Sequence, residues 1–120
     1  MEKARRKELI AQYKQMKPDM GIFIIRCKCG NKYYIQATPD LRGVMNGALV
    51  RLEGGSHPFR ELQQEWNEFG ADNFIIEILE NLDYDEDESK TDYSEELAIL
   101  QMIWEEKLTR QGMECYRKRI

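Results

Sequence analysis

The sequence predicts an α/β fold of the α+β kind, in which a small sheet of about three strands is built on an antiparallel hairpin and flanked by helices. Two runs rich in β-branched and aromatic residues, 21–29 and 32–37, are separated by the turn pair Gly30-Asn31, which is the pattern of a hairpin. A third run of this kind spans 73–79. Elsewhere, apolar residues recur three and four positions apart, as they do on one face of a helix.

An extra helix is predicted over residues 3–17, where Leu9, Tyr13 and Met16 recur with charged residues between them. Pro18 ends this helix, because its ring disfavours helical geometry at the preceding residue and removes a backbone donor. A chain of 120 residues leaves no room for two independent cores. We therefore expect an N-terminal helix, residues 1–19, packed on one domain, residues 20–120.

The first strand is a nearly continuous apolar run, which predicts burial on both faces and helices on both sides of the sheet. Thr38 and Pro39 indicate the start of a helix that ends near residue 52, with Thr38 as its cap and Pro39 in its first position. His57-Pro58 starts the next helix, which Gly70 ends. The residues predicted to form its apolar face are Phe59, Leu62, Trp66 and Phe69.

The last helix is predicted to begin at Ser94-Glu95-Glu96, because a serine can cap a helix and acidic side chains are favoured at its N-terminus. An acidic loop, residues 81–92, precedes it. The residues expected on its buried face are Tyr93, Leu97, Leu100, Trp104 and Leu108.

Charge is unevenly distributed along the chain. Residues 1–20 carry six Lys or Arg against three acids, whereas residues 83–96 carry eight acids and only Lys90. The formal net charge is −4, and nucleic-acid binders usually show a strong basic footprint. Any nucleic-acid binding is therefore expected to be weak, and a basic patch would have to come from the two termini. A helix-turn-helix regulator is disfavoured, because the helices around Gly54-Gly55 lack a basic recognition helix.

The three cysteines are expected to be ordinary reduced thiols, with Cys27 and Cys29 on one face of the first strand. Their odd number argues against a disulfide framework. The spacing of the cysteines is not that of a zinc site, and His57 is the only histidine, so we expect no metal and no cofactor. With no membrane span and no secretion signal in the sequence, we expect a cytoplasmic protein.

Several short motifs resemble those of the GIY-YIG nucleases, in the branch related to homing endonucleases. Gly21-Ile22-Phe23 resembles the first triplet of that family, and Tyr34-Ile35-Gln36 resembles the second. The further matches are Gly55-Ser56-His57, Leu62, Trp66-Asn67, Gly70, Asn73-Phe74 and Ile78-Leu79-Glu80. The resemblance covers about residues 20–116 and implies a nuclease-like fold.

The resemblance also implies a catalytic set of two tyrosines, a helix arginine, a metal-binding glutamate and often an asparagine. Of these, only Tyr34 is present. The other four positions, and the glycine of the second triplet, correspond to different residues here: Phe23, Val44, Gln101, Arg117 and Gln36. Arg42 lies two residues before Val44, a rotation of about 200° that turns it away. Glu105 is the one nearby acid that could replace the missing glutamate.

These substitutions predict a non-catalytic binding or regulatory domain on a nuclease scaffold. The residues expected to form its binding groove are Tyr34, Gln36, Arg42, His57 and Arg60. Nucleic acid is one partner consistent with this prediction, and a protein bound through the acidic loop or a second copy of the chain is another. The alternative is a metal-dependent endonuclease that uses Mg²⁺ and a displaced site of Tyr34, Arg42 and Glu105. A carboxylate directed at Tyr34 would favour that alternative.

Overall fold

The computed structural model describes residues 5–6 and 17–116. The predicted N-terminal helix, residues 3–17, falls almost wholly outside this range; Arg5 and Arg6 are helical. The elements in chain order are β1 (Met20–Cys27), β2 (Lys32–Thr38), α1 (Leu41–Gly54), α2 (Arg60–Phe69), a short 3-10 helix (Ala71–Asn73), β3 (Phe74–Leu82), α3 (Ser94–Arg110) and β4 (Glu114–Cys115).

The four strands form one mixed sheet in the order β3-β1-β2-β4. β1 pairs antiparallel with β2 and with β3, as predicted, so it lies at the centre of the sheet. β4 is an addition to the three expected strands; it is two residues long and pairs parallel with β2. β4 follows the C-terminus of a helix. Its two residues are too few to show an alternation of apolar and polar side chains, so the sequence pattern does not predict this strand.

Gly21 lies where the backbone of β3 leaves no room for a side chain on β1. A bulge shifts the register between Ile22 and Phe23, and a Cβ atom at Gly21 would collide with the carbonyl oxygen of Glu80. The first residue of the Gly21-Ile22-Phe23 triplet is therefore explained by packing within the sheet.

Helices cover both faces of the sheet, as the apolar run of β1 predicts. Helices α1 and α2 pack on one face, around a core that includes Phe23, Ile25 and Tyr34. Helix α3 packs on the other face, around Ile24, Tyr33 and Ile35. These two layers are called here the α1/α2 face and the α3 face.

The predicted helix faces are confirmed for most of their residues. Leu62 and Trp66 are buried, as are Tyr93, Leu97, Leu100 and Leu108. Phe69 is 39% exposed, because it lies at the end of α2. Trp104 is half-buried; its Nε1 donates to Glu80 Oε1 at 3.0 Å, which requires that edge of the ring to stay near the surface.

Four local predictions are wrong. The helix that was expected to start at His57-Pro58 begins at Arg60, with Phe59 in its N-cap position. Asp40, not Thr38, caps α1: its side chain accepts from the N–H of Gly43, so the helix begins at Leu41 and Pro39 precedes it. Tyr93 occupies the N-cap position of α3, and Ser94 is its first residue, with its N–H donating to Asp92. β1 ends at Cys27, so Cys29 lies in the turn rather than on the strand, and there it is exposed.

None of the helices in the described part of the chain is long and apolar enough to span a membrane.

Candidate functional site

A pocket of about 280 Å³ opens on the α1/α2 face, between β2, α1 and the segment that leads into α2. Its walls come from three parts of the chain. The lining residues are Tyr34, Gln36, Gly43, Val44, Gly47, Ala48, Arg51, His57 and Pro58.

Tyr34 forms the base of the pocket and is 9% exposed. Its ring packs edge-on against His57, with the centroids 5.2 Å apart, and against Phe59 at 4.7 Å. The Tyr34 hydroxyl donates to Gln36 Oε1 at 2.6 Å. Burial raises the pKa of Tyr34, and the nearby Arg51 opposes that rise. The phenol therefore stays neutral at pH 7. Because the Gln36 oxygen accepts the hydroxyl proton, the amide nitrogen of Gln36 remains available as a donor.

His57 closes one side of the pocket in a buried position fixed by its backbone and its ring. Its N–H donates to Gln63 Oε1 at 3.0 Å, and its Nδ1 accepts the N–H of Phe59 at 3.1 Å. Because Nδ1 is an acceptor, the neutral ring carries its proton on Nε2. Burial lowers the pKa of His57, and Arg51 lowers it further. His57 is thus an uncharged donor at neutral pH.

One face of α1 supplies the remaining wall. Three of its residues are small, Gly43, Gly47 and Ala48, and the larger side chains are those of Val44 and Arg51. Residues seven apart on a helix differ by only about 20° in direction, so Val44 and Arg51 share one face two turns apart. Val44 does occupy the pocket at the position where the resemblance implies an arginine. Arg51 brings a guanidinium to the same pocket from further along the helix.

Sequence reasoning did not identify Arg51 as a site residue. The signal that could have found it is its seven-residue spacing from Val44, which puts the two side chains on one helix face. Within the described part of the chain, no carboxylate lies within ion-pair distance of Arg51. Arg51 is exposed and lines the pocket, so its guanidinium is available to an anion bound there.

The lining is rich in hydrogen-bond donors. Gln36, Arg51 and His57 offer N–H groups, and none of the lining residues is acidic. Among the residues described, no group of three or more His, Cys, Asp or Glu could hold a metal ion. Chemically, such a lining suits an anion with several acceptor oxygens, because charge-assisted bonds from guanidinium groups are the stronger class of hydrogen bond.

Three of the five predicted binding residues come together and two do not. Tyr34, Gln36 and His57 line the pocket. Arg42 and Arg60 are exposed residues of α1 and α2 that lie outside the lining. Phe23 is fully buried in the core, with its ring centroid 6.1 Å from that of Tyr34.

Gln101 and Glu105 belong to α3, which packs on the opposite face of the sheet from the pocket. Gln101 Oε1 accepts the N–H of Ala37 at 3.2 Å, at the edge of β2. Its Nε2 donates to Glu105 Oε1 at 3.2 Å. Neither residue lines the pocket, so Tyr34, Arg42 and Glu105 are not brought together. Arg117 lies outside the described residues.

The fold is similar to that of a known nuclease domain. A structure of the catalytic domain of the homing endonuclease I-TevI has a TM-score of 0.65 and 23% sequence identity, over 84% of this chain and 99% of that chain. A variant of the I-TevI catalytic domain, in which a glutamate is replaced by alanine, has a TM-score of 0.58 and 24% identity, over 84% and 94%. No family model and no curated protein matches the chain.

The structural likeness confirms the GIY-YIG-like fold expected from the sequence motifs. At this level of identity it establishes the fold of the domain.

Proposed function

We propose that this domain is a non-catalytic binding module that uses a nuclease fold to hold a phosphate of nucleic acid in the pocket beside Tyr34. The observation that carries the proposal is the lining itself. Arg51, Gln36 and His57 line one cavity and all carry N–H groups, and none of the residues that line this cavity is acidic. The likeness to a nuclease domain makes nucleic acid the natural source of such an anion.

Phosphodiester cleavage needs more than this pocket offers. A hydrolytic site of the metal-dependent kind holds a cation by a carboxylate, and the cation activates water and stabilises the developing charge. Here Val44 stands in the pocket where the resemblance implies an arginine, and Gln101 is an amide bonded to β2 where it implies a glutamate. A phosphate can be bound by the remaining donors without being attacked.

The alternative, an endonuclease with a displaced site, requires Tyr34, Arg42 and Glu105 to meet around one cation. Glu105 accepts a hydrogen bond from Gln101 on α3, and Arg42 lies outside the pocket. No carboxylate of a described residue is directed at Tyr34 in the way that alternative needs. This arrangement therefore supports the binding proposal rather than an endonuclease with a displaced site.

One experiment tests both halves of the proposal on the same labelled duplex, branched DNA and RNA. Binding is followed by fluorescence anisotropy near ~50 mM salt, where screening is weaker than at the about 10 Å Debye length of 0.1 M salt. Cleavage is followed on denaturing gels with Mg²⁺ and with Mn²⁺. We expect weak binding that falls as salt rises, and no cleavage above background.

Two outcomes would contradict the proposal. Metal-dependent cleavage that Tyr34→Phe abolishes would show that a displaced site works. Absence of binding to every nucleic acid at low salt would favour a protein partner, with the acidic residues 83–88 as the first surface to replace.

A further inference from the structure

A single buried amide, that of Gln63, joins two sides of the pocket. Gln63 lies on α2, is 7% exposed and does not itself line the pocket. Its Oε1 accepts the N–H of His57 at 3.0 Å, and its Nε2 donates to Leu52 O at 2.9 Å. The first bond holds the segment that carries His57, and the second holds the last turn of α1.

The orientation of this amide is determined by its partners. A backbone N–H can only donate and a backbone carbonyl oxygen can only accept, so the amide oxygen faces His57 and the amide nitrogen faces Leu52. Nε2 also donates to Asn67 Oδ1 at 3.0 Å. The oxygen of the Gln63 amide and both of its N–H groups are thus bonded. Neither a carboxylate nor an apolar side chain at this position could make all three bonds.

The bond to Leu52 also holds Arg51, because the two residues are neighbours at the end of α1. The N–H of Ser56 donates to Arg51 O at 2.8 Å, so the chain that leads to His57 is tied back to the helix. Gln63 makes a second link between the same two segments, from the side of α2. Arg51 and His57 both line the pocket, and their backbones are therefore held relative to each other by one side chain outside it.

We propose that Gln63 is a positioning residue, which sets the separation of Arg51 and His57 and thereby determines how well the pocket holds an anion. A phosphate that bonds to both side chains needs them at a fixed separation, because hydrogen bonds weaken steeply as their geometry departs from the optimum. Gln63 supplies this precision from α2 and does not touch the ligand.

Loss of the amide should loosen both sides of the pocket at once. The hydrogen bonds that it makes to His57 and Leu52 are buried, and a buried backbone group without a partner carries a desolvation cost. The two segments should therefore separate until water reaches these groups. The pKa of His57, which burial and Arg51 now lower, should then return toward 6.5.

Two substitutions of the same kind on α2 test the placement of His57. Gln63→Met keeps an unbranched side chain and removes all three bonds, whereas Gln64→Met makes the same change at the exposed neighbouring position. The pKa of His57 is measured from the pH dependence of its imidazole NMR signals, which are unambiguous because the chain has no other histidine. We expect the pKa to rise toward 6.5 in Gln63→Met and to keep its wild-type value in Gln64→Met. The same pKa in all three chains would overturn the proposal.

A milder variant covers the case in which Gln63→Met does not fold. Asn67 is exposed, and Asn67→Ala removes only the hydrogen bond that Asn67 accepts from the Gln63 amide. The pKa of His57 should shift in the same direction as in Gln63→Met, by a smaller amount. If Gln63→Met does not fold, an unchanged pKa of His57 in Asn67→Ala would count against the positioning role.

A binding measurement, which rests on the proposed function, tests the placement of Arg51. Anisotropy titrations with a labelled duplex compare Gln63→Met, Arg51→Gln and the double variant over a series of salt concentrations. Gln63→Met should weaken binding and lower the slope of log affinity against log salt by up to about 0.9, the contribution of one phosphate contact. Adding Gln63→Met to Arg51→Gln should lower the slope no further, because the effects of residues that act through one another do not add.

The possible failures can be told apart. If the wild-type chain does not bind nucleic acid, the proposed function fails, while the pKa of His57 still tests the role of Gln63. If the wild-type chain binds and Gln63→Met leaves the salt slope unchanged, Gln63 does not place Arg51 and the proposal is wrong. A reduction of the slope by Gln63→Met that is equal with and without Arg51 would also overturn it, because the effect would then not pass through Arg51.

Discussion

Arg51 is the residue on which the binding proposal depends most directly, because it supplies the charge that the Val44 position lacks. Arg51→Gln should reduce affinity for a short duplex and lower the salt slope by about 0.9, the contribution of one phosphate contact. Arg42→Gln removes the same charge from the same helix, outside the pocket, and should have little effect. Anisotropy titrations of the two variants make the comparison. Equal losses would mean that α1 acts only through its overall charge.

Protonation of His57 should make the stability of the fold depend on pH, and the lowered pKa of His57 sets the direction of that dependence. Its pKa is lowered in the folded state from the ordinary 6.5, mainly by burial, so the unfolded chain takes up the proton first. Folding stability contributed by the neutral ring is therefore complete above about pH 6.5 and is lost as pH falls through the folded-state value. Denaturation midpoints should fall from pH 7.5 to pH 6.

A matched variant isolates this effect, because the chain has no other histidine. In His57→Asn the side-chain oxygen can still accept the N–H of Phe59, but it does not titrate in this range. Its denaturation midpoint should change less than that of the wild-type chain between pH 7.5 and pH 6. Parallel pH profiles for the two chains would show that protonation of His57 is not responsible.

Sequence reasoning identified the site residues that could be recognised singly, without knowing how the helices pack. Tyr34, Gln36 and His57 line the pocket as expected. Arg42 and Arg60 do not, and Arg51 was missed, because the direction of a helical side chain depends on where the helix packs. The spacing within α1 relates Arg51 to Val44, but only contact with β2 and with His57 shows that this face lines a cavity.

At the scale of elements, α2 is held to the sheet by Trp66. Its side chain is 7% exposed, and its ring centroid lies 5.2 Å from that of Phe74. Trp66→Ala should lower the free energy of unfolding by about 3–5 kcal/mol through the cavity it leaves. Phe69→Ala, at the exposed end of the same helix, should cost far less. Urea denaturation of both variants measures the difference, and similar costs would mean that α2 packs differently.

The hydrophobic pattern predicted the central elements better than the ends of elements. β1, β2 and β3 and the buried faces of α2 and α3 follow from runs and stripes of apolar residues, since burial drives both. Helix starts depend on which of several nearby polar groups bonds to the backbone. At α1, Thr38 and Asp40 compete, and the Asp40 side chain bonds to Gly43 while Thr38 ends β2 and accepts the N–H of Asp40. β4 depends on a long-range contact that leaves no local pattern.

For the whole molecule, net charge opposes the proposed partner. The formal charge is −4, and residues 83–88 hold five acids. Replacing Glu86 and Glu88 by glutamine should strengthen nucleic-acid binding at low salt, because it weakens the repulsion of phosphate. The gain should vanish near 1 M salt, where the Debye length is about 3 Å. Weaker binding at low salt in this variant would indicate that the acidic residues take part in recognition.

The central position of β1 has a consequence for how the protein is made. β1 and β2 can pair as soon as both leave the ribosome, but the other edge of β1 waits for β3, which begins at Phe74. Synthesis at about 5–20 residues per second puts that moment a few seconds later. During this interval Ile22, Ile24 and Ile25 present an unpaired apolar edge, the kind of surface that aggregates or recruits a chaperone. The strand that is almost wholly buried in the finished domain is thus unpaired along one edge while the chain is being synthesised.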